Sequence, residues 1–104
     1  MRIFNPKDPG ESIPFALSFA ADLETGETLV SITSSTISLV TGTTDPNMAS
    51  ILSGSAQISG SSVVQLIVAG LAGNRYSWTV LATTSTGRIL AEGAVIQITP
   101  AYLQ

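Results

Sequence analysis

The sequence predicts an all-β sandwich of about seven strands, and three observations carry that prediction. Apolar residues recur at every second position in several short segments, as in strands with one buried face. Gly, Pro, Asn and Asp separate these segments at intervals of roughly 8–12 residues. No segment shows a convincing helical period, so we expect less than about one tenth of the chain to be helical. With 104 residues, the chain has room for one domain.

The N-terminal segment predicts an extended arm outside the sandwich. Pro6 and Pro9 favour extended backbone, and the segment lacks the alternation of a sandwich strand. Ile3 and Phe4 leave two interpretations open, because they either pack the arm onto its own domain or dock onto a neighbouring subunit. The predicted organisation is an arm over residues 1–12, a sandwich domain over residues 13–100 and a tail over residues 101–104.

Two segments of the first half predict strands. Residues 13–20 alternate, and Pro14 indicates a sheet edge or a strand start, since proline cannot donate to a ladder. Gly26 predicts a turn because glycine tolerates a positive φ. Residues 29–40 predict two strands or one bulged strand, and residues 41–47 predict a loop because they are rich in turn residues.

The second half repeats this pattern. Its strands are predicted over residues 51–58, 63–68, 76–83 and 88–99. The second of these is an apolar, β-branched run and is predicted to be a central strand, whereas Gly87 indicates a hairpin loop and Gly93 a bulge. The core is predicted to contain Phe15, Leu17, Phe19, Ile32, Leu66, Val68, Tyr76, Trp78, Val80, Ile96 and Ile98.

Leu71, Tyr76 and Trp78 refine the fold prediction. A Leu in a turn, followed five residues later by a Tyr that opens a strand, resembles the tyrosine corner of immunoglobulin-like and fibronectin type III domains. In that corner the Tyr hydroxyl bonds back to the preceding loop. The sandwich is therefore predicted to be immunoglobulin-like or fibronectin type III-like, and a buried Tyr-Ser-Trp strand without the corner hydrogen bond is the alternative.

The composition argues against most kinds of catalytic, metal-binding and cofactor-binding site. The sequence has no His and no Cys, which removes the usual zinc, haem, thiol and His-dependent catalytic sites. A net charge of −3 argues against nucleic-acid binding, and the longest apolar stretch is too short for a membrane span. Asp22, Glu24 and Glu27 share one turn, but their spacing matches no calcium loop. We therefore predict no enzyme activity, no cofactor and no nucleic-acid or membrane partner.

The distribution of charge indicates subunit contacts. Between residues 31 and 73, Asp45 is the only charged side chain, and the whole chain contains 14 Ser and 12 Thr. Small hydroxyl residues are buried against a partner at a lower desolvation and entropy cost than Lys or Glu. The alternative is that Ser and Thr simply occupy the outward faces of the strands, where Thr is common.

Four short motifs resemble a known group of proteins. They are Lys7-Asp8-Pro9-Gly10-Glu11, Leu23-Glu24-Thr25-Gly26-Glu27-Thr28-Leu29, Tyr76-Ser77-Trp78-Thr79-Val80 and Thr83-Thr84-Ser85-Thr86-Gly87-Arg88. Their order resembles small virion proteins of tailed bacteriophages with immunoglobulin-like folds, which include fibre–tail adaptors and neck or capsid accessory proteins. The resemblance spans nearly the whole chain and brings no catalytic residues with it.

The resemblance implies a non-enzymatic virion component, assembled in the host cytoplasm, that joins fibres or other subunits to the tail. It also implies several copies in a symmetric ring or lattice, in contact with other virion proteins. A capsid cement or decoration protein is the alternative. A carbohydrate-binding module that uses Trp78 or Tyr102 as a stacking platform is a third, although alternation turns Trp78 inward. The residues expected to contact other subunits are Ile3, Phe4, Pro6, Pro9, Tyr102 and Leu103.

Overall fold

The computed structural model describes residues 2–3 and 6–103. Its strands are β1 (Arg2–Ile3), β2 (Ile13–Ser18), β3 (Leu29–Thr41), β4 (Leu52–Ser59), β5 (Ser62–Ile67), β6 (Arg75–Thr84) and β7 (Ile89–Gln97). One sheet has the order β1-β7-β6-β3 and the other has the order β2-β5-β4. The helical segments of the described residues are two short 3-10 helices, Met48–Ile51 and Ala101–Leu103. The prediction of an all-β sandwich is confirmed, and the finer immunoglobulin-like assignment stays a prediction.

Strand β6 organises the larger sheet because it pairs with β3 on one side and β7 on the other. Its inward side chains, Tyr76, Trp78, Val80 and Ala82, are fully buried. This strict alternation is the pattern that predicted the strand. Strand β2 lies at an edge of the smaller sheet, as its proline indicated, and β5 is the central strand of that sheet.

Most of the predicted core is confirmed. The buried apolar residues are Phe15, Leu17, Phe19, Leu29, Ile51, Val63, Ile67, Tyr76, Trp78, Val80, Ala82, Ala94, Ile96 and Ile98. Ile32 is half-buried and packs against this cluster. The prediction is wrong for Leu66, which is 38% exposed, and for Val68, which is only half-buried.

The inward and outward faces of β5 are the reverse of the prediction, because the side chain of Gln65 lies inside the sandwich. Strand β4 leaves the regular ladder between Ser53 and Gln57. The Gln65 amide donates hydrogen bonds to the carbonyl oxygens of Ser53 (2.9 Å) and Gly54 (3.2 Å). A buried amide with such partners avoids the cost of an unsatisfied polar group. Gln65 therefore points inward, and its neighbour Leu66 points toward solvent.

The irregular strand of the larger sheet is β3. It is one continuous strand whose pairing with β6 shifts register at three places, one of them between Ile32 and Ser34. The bulged-strand alternative is therefore confirmed over the two-strand alternative. The bulge predicted at Gly93 is wrong, since β7 pairs with β6 without a register shift from Ile89 to Gln97. Gly93 lies in this regular ladder opposite Thr79.

The N-terminal segment joins the larger sheet instead of standing apart. Strand β1 pairs in parallel with β7, with Ile3 opposite Val95. Farther along, the Lys7 N–H donates to Gln97 O (2.9 Å), and Lys7 O accepts from the Thr99 N–H (2.8 Å). The expectation that the arm lies outside the sandwich is wrong for these residues. Parallel pairing at a sheet edge uses backbone groups, so it does not require alternating side chains.

An ion pair closes the end of the sandwich opposite the chain termini. The Glu27 carboxylate accepts hydrogen bonds from the Arg88 guanidinium and from the hydroxyls of Thr84 (2.6 Å) and Thr86. The Arg88 guanidinium also donates to Asp22 O (2.9 Å). These bonds join the turn after β2 to the β6–β7 hairpin, where Gly87 has the positive φ expected of the hairpin loop.

We predict that Ile67→Ala destabilises the protein by about 2–5 kcal/mol, because it leaves a cavity in the core. Leu66→Ala removes a partly exposed side chain next to it, and we expect a loss below about 1 kcal/mol. Urea unfolding of both variants measures the difference. Equal losses, or a larger loss for Leu66→Ala, would contradict the observed phase of β5.

The Glu27 ion pair predicts a dependence of stability on pH. The Arg88 guanidinium, together with the N–H of Glu24 and two hydroxyls, holds the pKa of Glu27 well below its usual range. The folded state therefore binds fewer protons than the unfolded chain as the pH falls below about 4.3, and stability decreases there. Between pH 5 and pH 2, we expect the unfolding midpoint of Glu27→Gln to fall less than that of the wild type. Glu24→Gln is the control, since it leaves the contacts of Arg88 in place, and an unchanged slope in Glu27→Gln would contradict the assignment.

Candidate interaction surface

Three loops meet at the end of the sandwich that carries the chain termini, and the hydroxyl of Tyr76 links them. This hydroxyl accepts hydrogen bonds from the N–H of Leu71 (3.1 Å) and the amide of Asn74 (3.1 Å). It donates to the carboxylate of Asp45 (2.9 Å). Burial raises the pKa of Tyr76, which keeps the hydroxyl in its donating form. The corner hydrogen bond predicted from the spacing of Leu71 and Tyr76 is confirmed.

Asn74 extends this network to the loop after β3. Its side chain is buried and pairs with the backbone of Thr43, accepting from the N–H (2.9 Å) and donating to the carbonyl (2.7 Å). Gly42 lies directly against Asn74 and has a φ of +120°, so a side chain at this position would collide with the amide. These contacts tie the loop after β3 to the segment that leads into β6.

Lys7 anchors the N-terminal segment to the loop between β5 and β6. Its ammonium group donates to the carbonyl oxygens of Ala69 (2.7 Å) and Asp8 (2.8 Å), and its side chain is buried. Burial lowers the pKa of Lys7, while the nearby carboxylates of Glu11 and Asp8 oppose that shift. Ala69 has a positive φ of 52°, a conformation that costs a non-glycine residue about 1–2 kcal/mol. The hydrogen bond from Lys7 helps to hold this strained residue in place.

Asp8 connects the N-terminal segment to the C-terminal tail. Its carboxylate accepts hydrogen bonds from the N–H groups of Gly10 and Ala101, both at 2.7 Å. These two bonds hold the pKa of Asp8 below its usual range, and the bond from Gly10 has the larger effect. The Asp8 N–H in turn donates to the carboxylate of Glu11 (2.8 Å). The short helix Ala101–Leu103 is therefore fixed to the body of the domain.

This arrangement presents apolar side chains at the same end of the molecule. Tyr102 is 84% exposed and Leu103 is 64% exposed, although both lie on the anchored helix. Pro6 is exposed beside Lys7, and Leu71 is partly exposed on the loop that Lys7 anchors. We call Pro6, Leu71, Tyr102 and Leu103 the terminal face.

The structure brings some of the predicted interface residues together. Pro6, Tyr102 and Leu103 lie on the terminal face, and Pro9 is half-buried next to Asp8. Phe4 lies outside the described residues, and of Ile3 only the backbone is described. Sequence reasoning missed the anchoring roles of Lys7 and Asp8. The signal available for Lys7 was that it is the only lysine of the chain.

Two alternative sites are not supported by the positions of their residues. Trp78 is fully buried, and its indole N–H donates to the hydroxyl of Ser35 (2.8 Å), so it offers no stacking platform for a sugar. In the acidic turn, the carboxylate of Glu27 is occupied by Arg88 and two hydroxyls. Within residues 2–3 and 6–103, no group of three or more side chains could hold a metal ion.

Comparison with known families shows which family the chain belongs to. Residues 7–97 match the Gp77 family, described as podophage GP4 fiber-tail adaptor protein gp77. The chain belongs to this family. The adaptor is thus a structural component of a phage virion, and an adaptor between fibre and tail binds other virion proteins. No curated protein matches it. Within its described residues, no helix is long and apolar enough to cross a membrane.

We predict that Tyr76→Phe destabilises the adaptor by about 1–3 kcal/mol, because the N–H of Leu71 and the amide of Asn74 lose their acceptor. Tyr102→Phe removes a hydroxyl that is exposed to solvent, and we expect it to leave stability unchanged within about 0.5 kcal/mol. Thermal unfolding of the two variants checks this difference. The same small effect in both would mean that the Tyr76 hydroxyl does not hold the loops together.

Proposed function

We propose that the adaptor is a non-enzymatic protein of the phage neck or tail that docks through its terminal face and joins fibres or other subunits to the tail. It acts in several copies arranged around the tail axis. The observation that carries this proposal is the exposure of Tyr102 and Leu103 on a helix that Asp8 fixes in place. The family description supports the tail over the capsid as the location.

The structural use of the carboxylates supports a non-enzymatic role. Asp8 and Glu11 bond to backbone N–H groups, Asp45 accepts from Tyr76, and Glu27 binds Arg88. Each of these contacts joins one loop or turn of the domain. General acid–base catalysis needs carboxylates that face a substrate in a cleft, whereas these four carboxylates bind groups of the protein itself.

The rigidity of the terminal face favours docking. An exposed aromatic side chain on a flexible tail would lose conformational entropy when it binds, and that loss would weaken the complex. Here the tail is already ordered by the hydrogen bond between Asp8 and Ala101. Aromatic side chains placed on such surfaces often contribute much of the binding energy of an interface. Ile3 and Phe4 lie next in the chain to Pro6 and are proposed to extend the same contact.

The test is incorporation of the variant Tyr102→Ser/Leu103→Ser into virions. Particles assembled without the adaptor are incubated with purified protein, and the bound protein is quantified by mass spectrometry. We expect incorporation to fall about ten-fold or more, because two anchor side chains are lost. The thermal unfolding midpoint should stay close to that of the wild type, since both side chains are exposed.

The matched control is Leu66→Ser/Ile89→Ser, which removes two side chains that are 38% and 60% exposed and lie outside both the terminal face and β3. It should be incorporated as the wild type is. Crosslinking in the particles then identifies the neighbour as a tail, fibre or capsid protein. Normal incorporation of the Tyr102/Leu103 variant would refute the terminal face as the docking surface. Crosslinks to the major capsid protein alone would refute the position in the tail.

A further inference from the structure

The outer edge of β3 differs from the other sheet edges. An exposed edge offers N–H and C=O groups to any extended chain, and natural sandwiches protect their edges with proline, charge, bulges or a covering segment. Strand β2 contains Pro14, β4 leaves its ladder after Ser53, and β1 lies along part of β7. Strand β3 has 13 residues with no proline and no charge, and between its register shifts residues 34–39 form a regular ladder with β6. Among the described residues, no strand pairs with its outer side.

The sequence of β3 is symmetric. Residues 31–38 read Ser-Ile-Thr-Ser-Ser-Thr-Ile-Ser, which is identical in both directions, and an apolar pair flanks each end. When two copies of a strand pair in antiparallel orientation about a two-fold axis, each contact occurs twice. In such a pair, the reversed sequence allows Ile32 to lie opposite Ile37 of the second copy. Such β-branched cross-strand pairs stabilise a sheet.

The register shift in β3 makes this symmetry usable. Because side chains alternate between faces, residues 32 and 37 of a regular strand would point to opposite sides of the sheet. The extra residue between Ile32 and Ser34 changes the phase. Ile32 pairs with the buried Ala82 and Ile37 with the buried Trp78, so both isoleucines face the inner side. Both are half-buried, and Ser31 and Ser38 are both exposed. When Ile32 is matched with Ile37 of the second copy, the extra residue of each copy remains a bulge and the two-fold axis passes through Ser35. Inner residues then meet inner residues along the whole pair.

The surroundings of the edge suit a second copy of the same chain. Identical partners place each charge of an interface near its own duplicate, and β3 carries no charge that would be repelled. Two grooves of about 460 and 280 Å³ run along the inner side of the edge. Ile32 lines the first, Ile37 lines the second, and Ser35 lines both. The two grooves therefore meet at Ser35, the residue through which the two-fold axis passes.

We infer that two copies of the adaptor associate through antiparallel pairing of their β3 edges, centred on Ser35, to form one continuous eight-stranded sheet. This inference does not depend on docking through the terminal face, because β3 contributes no residue to that face. A failed dimerisation test would leave the proposed function in place, and a failed incorporation test would leave the dimer in place.

Disulfide crosslinking tests the pairing and its register, and the chain has no cysteine of its own. In the dimer, Ser31 lies opposite Ser38 of the second copy at a Cα distance of about 4.5–5.5 Å, within the range of a disulfide. Equivalent Ser31 residues are seven positions apart along the strand, about 23 Å. We expect the double variant Ser31→Cys/Ser38→Cys to crosslink into dimers on oxidation. Each single variant alone should stay uncrosslinked, and an equal mixture of the two should crosslink.

The mass in solution gives an independent measurement. The wild-type chain should sediment with the mass of two copies, and Thr36→Lys, which places two ammonium groups near the axis, should halve that mass. Ala91→Lys is the control, since Ala91 is an exposed residue on β7 of the same sheet. A monomeric wild type, or crosslinking of a single variant as efficient as that of the double variant, would overturn the inference. A larger ring without the crosslink between residues 31 and 38 would also overturn it, because β3 would then pair with another edge.

Discussion

The hydroxyl of Tyr76 is the contact on which the arrangement of the loops near the chain termini depends. It joins Leu71, Asn74 and Asp45, and Asn74 holds Thr43 in turn. A buried hydroxyl with two donors and one acceptor around it has all its hydrogen bonds satisfied, so any rearrangement of these loops leaves a polar group unpaired. The loops therefore behave as one rigid unit at the end where Lys7 and the tail are attached.

The two ends of the sandwich are closed by different means. At one end, a buried carboxylate meets a guanidinium and two hydroxyls, a combination that depends on the ionisation of Glu27. At the other end, the Tyr76 hydroxyl and the Asn74 amide join the loops, the Lys7 ammonium donates to backbone carbonyl oxygens, and the Asp8 carboxylate holds the tail. Fixed geometry at the terminal face lowers the entropy cost of binding. An adaptor between two large assemblies benefits from such rigidity, because a flexible link would not define the position of the fibre.

The sequence predicted those parts of the fold that local patterns determine. The alternation around Trp78, the spacing from Leu71 to Tyr76 and the glycine of the last hairpin each predicted a feature that is present. The phase of β5 could not be predicted, since Gln65 is polar and its partners lie on another strand. The burial of Lys7 depends on a carbonyl 62 residues away. Contacts of this kind arise only after folding. Tyr102 and Leu103 are exposed, and the bond that fixes their helix did not follow from any local pattern.

The geometry of a β3 dimer would give the adaptor two separated docking surfaces. A two-fold axis perpendicular to the sheet reverses the direction of the strand, so the terminal faces of the two copies point away from each other. One copy measures 44 Å along its longest axis, so the two faces would lie well apart. A monomer that binds only through one face can occupy one binding site, whereas a dimer with two opposed faces can connect two binding sites. In the proposed dimer, the β3 edges would join the two copies, and the terminal faces would join the pair to its neighbours.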